Sequence, residues 1–438
     1  MHRLVSNESR LKISNIYSKI SILFIIYLIA ISNLKINILS LIAILISTVF
    51  ILNPIYILPP LLISCLIGEY FVAFSGVGMS RIMTTVFIVG AIYKFIINNI
   101  KIKISDILFI LFFCSFNIIS AKTSTIGSIT PAITMILNTF LLYSMKYIEI
   151  DNLNVFFKTI STSIIILTVY IFYITISGQA AEVGGRLVLD EAVNSNRLGM
   201  ALAQVGALLY GILVCGILKK RKFIHIITLF LAVISLFYTG SRSALIAITG
   251  AIILMTLFSL FKKEKISKRI AVLLLAIVSI AIVFMIISNS NLEITERFSI
   301  SSIKESGGSG RVDIWKVLFK YVIPENLLIG VGLGGENVSI EVASYLGKDH
   351  GTHNLLITII AQTGIIGCII YGRIFFKTTL KLFKLFFKYS NLAMPLMMIV
   401  TAFINGIGED IFTERYLWFA LGLGAMLINN LKLEMSKK

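Results

Sequence analysis

Two of the four histidines of this 438-residue chain lie close together at the start of an apolar run, in GKDHGTHNLLITIIAQTGIIG (residues 347–367). A histidine side chain titrates near neutral pH, so it can take up a proton from a hydroxyl group. His353 directly precedes Asn354 and the apolar run, whereas His350 lies in the polar KDHGT segment. We therefore expect His353 to take part in proton transfer and His350 to be solvated. A helix-capping or headgroup-facing His353 is the alternative.

Arginine side chains form a second group that could do chemistry. Arg242 lies between two apolar runs in LFYTGSRSALIAITG, and Arg311 follows closely spaced glycines in ESGGSGRVDIW. Arginine presents a planar fork of N–H donors that binds two phosphate oxygens at once, which lysine cannot do. Arginines at a membrane surface would therefore suit a lipid-linked phosphate or diphosphate. For any single arginine, contact with lipid headgroups is the alternative.

The elements that must position these residues are membrane helices. The chain is 57% hydrophobic and only 14% charged, and apolar runs of about 17–25 residues recur along it, long enough to cross a bilayer as helices. Helices are expected because lipid offers backbone groups no partners. The predicted fold is an all-α integral membrane protein, a single polytopic domain over residues 1–438. It has about 12–14 transmembrane helices and one long outer loop with short amphipathic helices.

Fourteen apolar runs are candidate spans, and prolines at 54, 59 and 60 interrupt the early ones, which leaves twelve or thirteen as alternatives. The longest interruption, 289–352, is predicted as the outer loop that carries part of the active site, between helices in 196–288 and 353–430. The four cysteines lie inside apolar runs without CxxC spacing, so they are interpreted as small core residues. The candidate spans are 18–33, 36–52, 55–74, 82–98, 104–121, 126–146, 155–177, 196–218, 223–238, 241–261, 270–288, 353–375, 391–407 and 411–430.

The placement of basic residues predicts the orientation. With a cytoplasmic N-terminus, the segments KIK (101–103), KKRK (219–222), KKEKISKR (262–269) and 377–388 all lie inside, as the positive-inside rule requires. Both termini are then cytoplasmic, and the two loop histidines face outside. The net charge of +18 follows from topology and from attraction to anionic headgroups, so it does not indicate nucleic-acid binding. The rule leaves an outer arginine excess unexplained: Arg81, Arg186, Arg197, Arg242, Arg297, Arg311 and Arg415.

The outer loop contains one amphipathic pattern and one glycine-rich segment. Apolar residues at i, i+3, i+4 and i+7 predict a helix on the outer membrane surface that begins at Arg311 and Asp313 and ends at Pro324. The GVGLGG segment (330–335) lacks the GK[ST] of a phosphate-binding P-loop, so a nucleotide site is discarded. The predicted apolar face consists of Trp315, Leu318, Phe319 and Val322.

With these segments the chain resembles the O-antigen polymerase and O-antigen ligase superfamily of bacterial membrane glycosyltransferases. The resemblance covers about residues 190–375 and rests on the order and spacing of several motifs around one outer loop. The NSNRLGMAL segment (194–202) has Ser195 where these proteins usually have proline. The other matching segments are TGSRSALI (239–246), GSGRVDIW (308–315), GVGLGG (330–335) and HNLLITIIAQTGIIG (353–367).

The resemblance implies a donor glycan on undecaprenyl diphosphate at the outer leaflet of the bacterial cytoplasmic membrane, and inversion at the anomeric carbon without a metal or cofactor. Carried over by motif, Arg242 and Arg311 would act at the diphosphate and His353 near the acceptor, as its base. Competing base candidates are the outer carboxylates Asp313, Asp349, Glu409 and Glu414. The residues predicted to bind substrate are Arg81, Asn194, Asn196, Arg197, Asp313, Asn354 and Glu409.

The leading hypothesis is polymerisation of undecaprenyl-diphosphate-linked repeat units into surface polysaccharide, O-antigen or capsule. A ligase that moves glycan to another acceptor is the first alternative, because both activities share these motifs. A lipid-linked oligosaccharide flippase should carry charges deep in several spans, whereas Glu69, near the outer end of its span, is the only acidic residue interpreted as lying inside one. A non-catalytic scaffold is the remaining alternative. Expected partners are lipid-linked glycans, membrane lipids, a chain-length regulator and a flippase, but no nucleic acid.

Overall fold

The computed structural model describes residues 7–32, 37–67, 78–122, 129–177, 181–183, 186–189, 194–216, 218–260, 274, 311–348 and 350–436. The all-α prediction is confirmed, and seven of the described helices are long and apolar enough to cross a membrane. Several further apolar helices are shorter. Each predicted span overlaps a helical segment except 270–288, of which only residue 274 is described. The predicted outer loop before residue 311 lies outside the described residues.

The first half of the chain is a series of helices with one break that proline causes. Pro54 opens a 3₁₀ turn, and Pro59 and Pro60 lie in the first turn of the next helix, where a missing N–H costs least. The prolines therefore divide one predicted span into short helices. The elements are α1 (Asn7–Ser32), α2 (Asn37–Thr48), 3₁₀ turns Val49–Leu52 and Pro54–Ile57, α3 (Leu58–Leu66), α4 (Met79–Ile97), α5 (Ile104–Lys122), α6 (Ile129–Tyr147) and α7 (Leu153–Ile176).

The second half adds a small antiparallel hairpin that the sequence did not predict, in which Val183 pairs with Arg186. Helix α13 runs to residue 386, eleven residues beyond the predicted end of its span. The elements are β1 (Ala181–Val183), β2 (Arg186–Val188), α8 (Ser195–Cys215), α9 (Lys222–Tyr238), α10 (Arg242–Leu260), α11 (Arg311–Val317), α12 (Gly335–Leu346), α13 (Leu355–Phe386), α14 (Ala393–Asn405) and α15 (Arg415–Ser436).

Helices α8, α14 and α15 form the centre of the bundle. Helix α8 packs against α9, α10 and α14, while α15 packs against α6, α13 and α14. The approach of α8 to α14 needs a glycine, since a Cβ at Gly211 would lie 2.6 Å from the Cα of Met394. Both α13 and α15 begin at the same end of the bundle, which we call the site end.

Helix α11 continues through a π-helical turn, Leu318–Val322, to Glu325. The helix itself is thus confirmed, and Phe319, which belongs to its predicted apolar face, is 57% exposed from the protein. Ile314 and Val317 are buried with Leu318 and Val322. These buried side chains recur at i, i+3, i+4 and i+8, so the face packed against protein is offset from the predicted apolar face.

The GVGLGG segment docks against a break in α13 at Gly364, whose φ is 63°. Val331 N–H donates to the Ala361 carbonyl at 2.9 Å, and Gly332 N–H donates to the Gln362 carbonyl at 3.1 Å. Non-helical backbone at membrane depth is tolerated only where protein partners its polar groups. The segment supplies those partners, which explains its glycines without a nucleotide.

The docking works in both directions, because the preceding carbonyls accept from α13. Ile365 N–H donates to the Leu327 carbonyl at 2.9 Å, and Ile366 N–H donates to the Leu328 carbonyl at 3.2 Å. The N–H of Gly334 donates to the side chain of Gln362. Helices α11 and α12 are therefore fixed to α13 by the backbone that joins them.

We expect Gly330→Ala and Gly364→Ala each to lower the thermal unfolding midpoint of the purified protein. A Cβ at Gly330 would lie 2.3 Å from the Gln362 carbonyl carbon, and one at Gly364 would lie 2.4 Å from that of Leu328. Both positions also have positive φ, which alone costs about 1–2 kcal/mol with a side chain. Gly335→Ala is the matched control, since no heavy atom lies within 4 Å of the added methyl group. A wild-type midpoint for Gly330→Ala would contradict the docking.

Candidate active site

Glu409 is the centre of a polar cluster at the site end, in the loop between α14 and α15. Its side chain is 10% exposed. Oε1 accepts hydrogen bonds from Nη2 of Arg311 at 3.2 Å and from Nδ2 of Asn196 at 3.0 Å. Oε2 lies 3.6 Å from Nδ1 of His353. One carboxylate thus brings together four residues predicted for the site, from α8, α11 and the two loops that precede α13 and α15.

Arg186 extends this cluster from the hairpin. Its Nη2 donates to Oδ1 of Asn196 at 2.5 Å, and its Nε donates to the Thr239 carbonyl at 2.8 Å. Asn196 therefore accepts from Arg186 while it donates to Glu409, which orients its amide. The sequence indicated an outer arginine here but gave no reason to place it in the site, because the hairpin that aims it was not predicted.

The first turn of α10 reaches the cluster at Gly408. A Cβ at this glycine would lie 3.1 Å from Nη1 of Arg311 and 3.4 Å from the Cβ of Ser243. Arg242, the neighbour of Ser243, begins α10 and is half-buried. The TGSRS turn thus brings the Arg242 segment beside Arg311. This proximity is what the two arginines would need in order to bind the same anionic group.

His353 is held in the left-handed conformation, with φ of 48°. Such a conformation costs about 1–3 kcal/mol and persists where neighbouring contacts fix the backbone. Here Trp315 Nε1 donates to the Thr352 carbonyl at 2.8 Å, and Leu355 N–H donates to the Gly406 carbonyl at 2.7 Å. The imidazole is 41% exposed, so it faces the cluster and remains accessible.

Two asparagines predicted to bind sugar have structural contacts. Asn354 is the N-cap of α13, where Oδ1 accepts from Leu356 and Ile357 N–H, and its Nδ2 donates to the Ile407 carbonyl at 3.0 Å. The helix cap is thus Asn354 and not His353. Asn194 is the N-cap of α8. Their part in substrate binding stays a prediction.

Asp410 was missed by the sequence analysis, although it follows Glu409 directly. Burial raises the pKa of its carboxyl group to about 6, and the nearby Glu414 adds to this rise. The Phe412 N–H, which donates to Oδ1 at 3.1 Å, and the neighbouring His353 oppose it. A carboxyl group with a pKa near the working pH can exchange protons efficiently. Asp410 is therefore a second base candidate beside His353.

Arg81 and Arg197 lie at a neighbouring cluster around the buried Arg415. Arg415 Nε donates to Oδ1 of Asn138 on α6 at 3.2 Å, and its Nη1 donates to Ser80, the neighbour of Arg81. Burial raises the pKa of Glu414, while the charges of Arg197 and Arg415 lower it. These residues enlarge the cationic surface of the site end.

The structure does not bring Asp313 into either cluster. Its carboxylate pairs with Lys316 at 3.1 Å, and both side chains are about two-thirds exposed or more, at 68% and 71%. His350 is half-buried. Asp349 and Arg297 lie outside the described residues.

Comparison with known families supports the resemblance drawn from the motifs. A family model described as O-antigen ligase matches residues 227–372. The match includes Arg242, Arg311 and His353, and ends before Glu409 and Asp410. The predicted relation to the O-antigen ligase and polymerase superfamily is confirmed. No curated protein matches the chain.

We expect Asp410→Asn to weaken the pH dependence of stability. The folded-state pKa of Asp410, about 6, lies above its ordinary value of 3.8. Its stabilising contribution is therefore full at low pH and is lost as pH rises from about 4 to about 6. The variant cannot ionise, so its unfolding midpoint should fall less between pH 4.5 and 7. Asp313→Asn, an exposed carboxylate, should behave like the wild type. Equal pH slopes for Asp410→Asn and wild type would show that Asp410 ionises normally.

Proposed function

We propose that this membrane protein of the O-antigen ligase and polymerase superfamily joins undecaprenyl-diphosphate-linked repeat units into a surface polysaccharide. The observation that carries the proposal is the contact of Glu409 with Arg311, Asn196 and His353. It combines a phosphate-binding group, a hydrogen-bonding amide and a proton acceptor at one end of a membrane bundle. The reaction class follows from these groups together with the family match.

The arginines are proposed to bind the leaving diphosphate. When the bond from the anomeric carbon to the diphosphate oxygen breaks, its electron pair stays with the diphosphate, and Arg311 and Arg242 stabilise the added charge. Positioned charge in a water-poor site is usually the largest catalytic contribution. Glu409 fixes one Nη of Arg311, which orients the remaining N–H donors of the guanidinium group.

His353 is proposed as the general base for the acceptor. The acceptor hydroxyl oxygen attacks the anomeric carbon and inverts it, while its proton passes to Nε2 of His353. With Glu409 3.6 Å from Nδ1, the resulting imidazolium gains a partner for its charge. Asp410 is the alternative base. The transfer needs no metal in this proposal.

The site is proposed to face outside the bacterial cytoplasmic membrane, with both termini cytoplasmic. The support is the distribution of lysine. Helices α13 and α15 begin at the site and run towards an end with several lysines, Lys377, Lys381, Lys384, Lys388 and Lys432, as the positive-inside rule predicts for the cytoplasmic side. A flippase would deliver the donor to this face, and a chain-length regulator is a proposed partner.

The assay that tests the proposal uses purified protein in lipid nanodiscs with one lipid-linked repeat unit as both donor and acceptor. A ladder of multiples of the unit supports polymerisation. Transfer that occurs only after a different acceptor is added supports the ligase, which the description of the matching family favours. Absence of transfer with both acceptors would contradict both activities.

We expect His353→Ala to lower the rate of ladder formation by about 10²–10⁴-fold, the usual contribution of general-base catalysis. His350→Ala is the matched control, three residues away on the same loop, and should form ladders like the wild type. Unfolding midpoints of both variants should be compared, because His353 also contacts Glu409. If His353→Ala is fully active, the general base is not His353, and Asp410 becomes the leading candidate.

We expect Arg311→Lys and Arg242→Lys to fail nearly as badly as the alanine variants, by about 10²-fold or more. A lysine keeps the charge but cannot replace a bidentate fork. Arg10→Lys, an exposed residue on α1, should retain wild-type activity. Initial rates are measured at saturating donor, so that a lower catalytic rate is distinguished from weaker binding of the donor. Normal rates for the lysine variants would show that charge alone suffices.

A further inference from the structure

A polar cavity of 280 Å³ lies at the end of the bundle opposite to the site. Helices α5, α6, α13 and α15 line it, and it is open to the surroundings. Its lining includes a set of basic side chains that converge from all four helices or the residues next to them: Lys103, Lys146, Arg373, Lys377, Lys381 and Lys432. Neither the proposed reaction nor the family match involves this cavity.

The charge of the cavity is far from balanced by the residues that line it. Asp106 is the one carboxylate among its described lining residues, and both Lys146 and the Tyr147 hydroxyl donate to its Oδ2. Five further basic side chains share the same cavity. Like charges held this close repel one another, and an anion between them would relieve the repulsion.

The walls also restrict how the cations are placed. The guanidinium of Arg373 lies 5.6 Å from the ring centre of Phe109, and the ammonium of Lys146 lies 5.3 Å from that of Tyr143. These cation–π contacts hold the charged groups on the cavity wall. Neutral donors complete the lining: Ser105, Thr378 and Asn429.

We propose that this cavity binds a phosphate-bearing anion. Phosphate oxygens accept several charge-assisted hydrogen bonds at once, which a cavity with an arginine fork and several ammonium groups supplies. Two sources share this chemistry: the headgroup of an anionic phospholipid in the adjacent leaflet, and a soluble phosphate compound. Basic pockets between membrane helices commonly bind phospholipid headgroups.

The surroundings of the cavity suit the lipid source. Its helices α5 and α13 present exposed apolar side chains beside it: Ile104, Leu108, Phe376 and Leu380. Acyl chains would pack against these while the headgroup enters the cavity. The rival explanation is that the lysines attract anionic headgroups in general, without a defined site. Lys384 and Lys388 distinguish these two explanations. Lys384 lies on α13 and Lys388 lies two residues after its end, but neither residue lines the cavity.

The test compares two double variants of the full-length protein, Lys377→Gln/Lys381→Gln and Lys384→Gln/Lys388→Gln. Each removes two positive charges from the same end of the molecule. Retention of phosphatidylglycerol is measured by native mass spectrometry, with phosphatidylcholine as the neutral reference lipid. Separately, the rise of the unfolding midpoint with inorganic pyrophosphate is measured in neutral detergent. Midpoints without ligand show that both variants fold.

We expect Lys377→Gln/Lys381→Gln, the cavity variant, to retain about tenfold less phosphatidylglycerol than wild type, or less still. Retention by Lys384→Gln/Lys388→Gln, the control variant, should stay within twofold of wild type. If only the response to pyrophosphate is lost selectively in the cavity variant, the anion is a soluble phosphate compound and the site stands. Equal losses in the two variants, or no loss in the cavity variant by either measurement, overturn the proposal. Ladder formation by the wild type is measured independently, so failure of the proposed reaction would not be mistaken for failure of this site.

Discussion

A carboxylate that is almost buried at the end of a membrane bundle must find partners, and Glu409 finds them in distant parts of the chain. Removing its charge from water without compensation would cost several kcal/mol. Its partner Asn196 lies 213 residues away in sequence and Arg311 lies 98 residues away. The need to compensate one charge therefore fixes the positions of α8 and α11 relative to the loop before α15. The same contacts bring together the groups to which the proposed glycosyl transfer assigns roles.

A second constraint keeps this assembly in place: backbone groups at membrane depth need protein partners. The break at Gly364 leaves N–H and carbonyl groups of α13 outside its helical ladder, and residues Leu327–Gly332 bond to them. Because this segment joins α11 to α12, Arg311 is tied to the helix that His353 precedes. The glycine-rich motif thus acts on the site by positioning it, which is a different role from the phosphate cradle that glycine-rich loops often form.

Much of this arrangement could be predicted from sequence, since long apolar runs, lysine placement and motif order depend on local pattern. The same patterns placed Arg311, His353, Asn196 and Glu409 among the site residues. Asp410 and Arg186 were not predicted because their importance depends on tertiary burial and on a hairpin without a strong strand pattern. Phe319 lies on the predicted apolar face but outside the face packed against protein, because periodicity identifies apolar positions without showing which of them protein covers.

Helices α13 and α15 connect the two polar regions of the molecule. Apart from the break at Gly364, the segment from the N-cap Asn354 to Lys381 is helical. It spans at most about 40 Å, and the helix from Arg415 to Lys432 spans about 26 Å, at 1.5 Å per residue. A bilayer has a hydrocarbon core of about 30 Å and a full thickness of about 40–45 Å. One pair of helices therefore carries the proposed diphosphate site at one membrane surface and the basic cavity at the other. Both proposed sites would use cations to bind anions, so each is expected to lie where lipid phosphates lie, in opposite leaflets. Helix length and lysine placement together support this arrangement. Under the two proposals, the outer arginines would bind a reacting diphosphate and the inner basic residues would bind a phosphate-bearing anion.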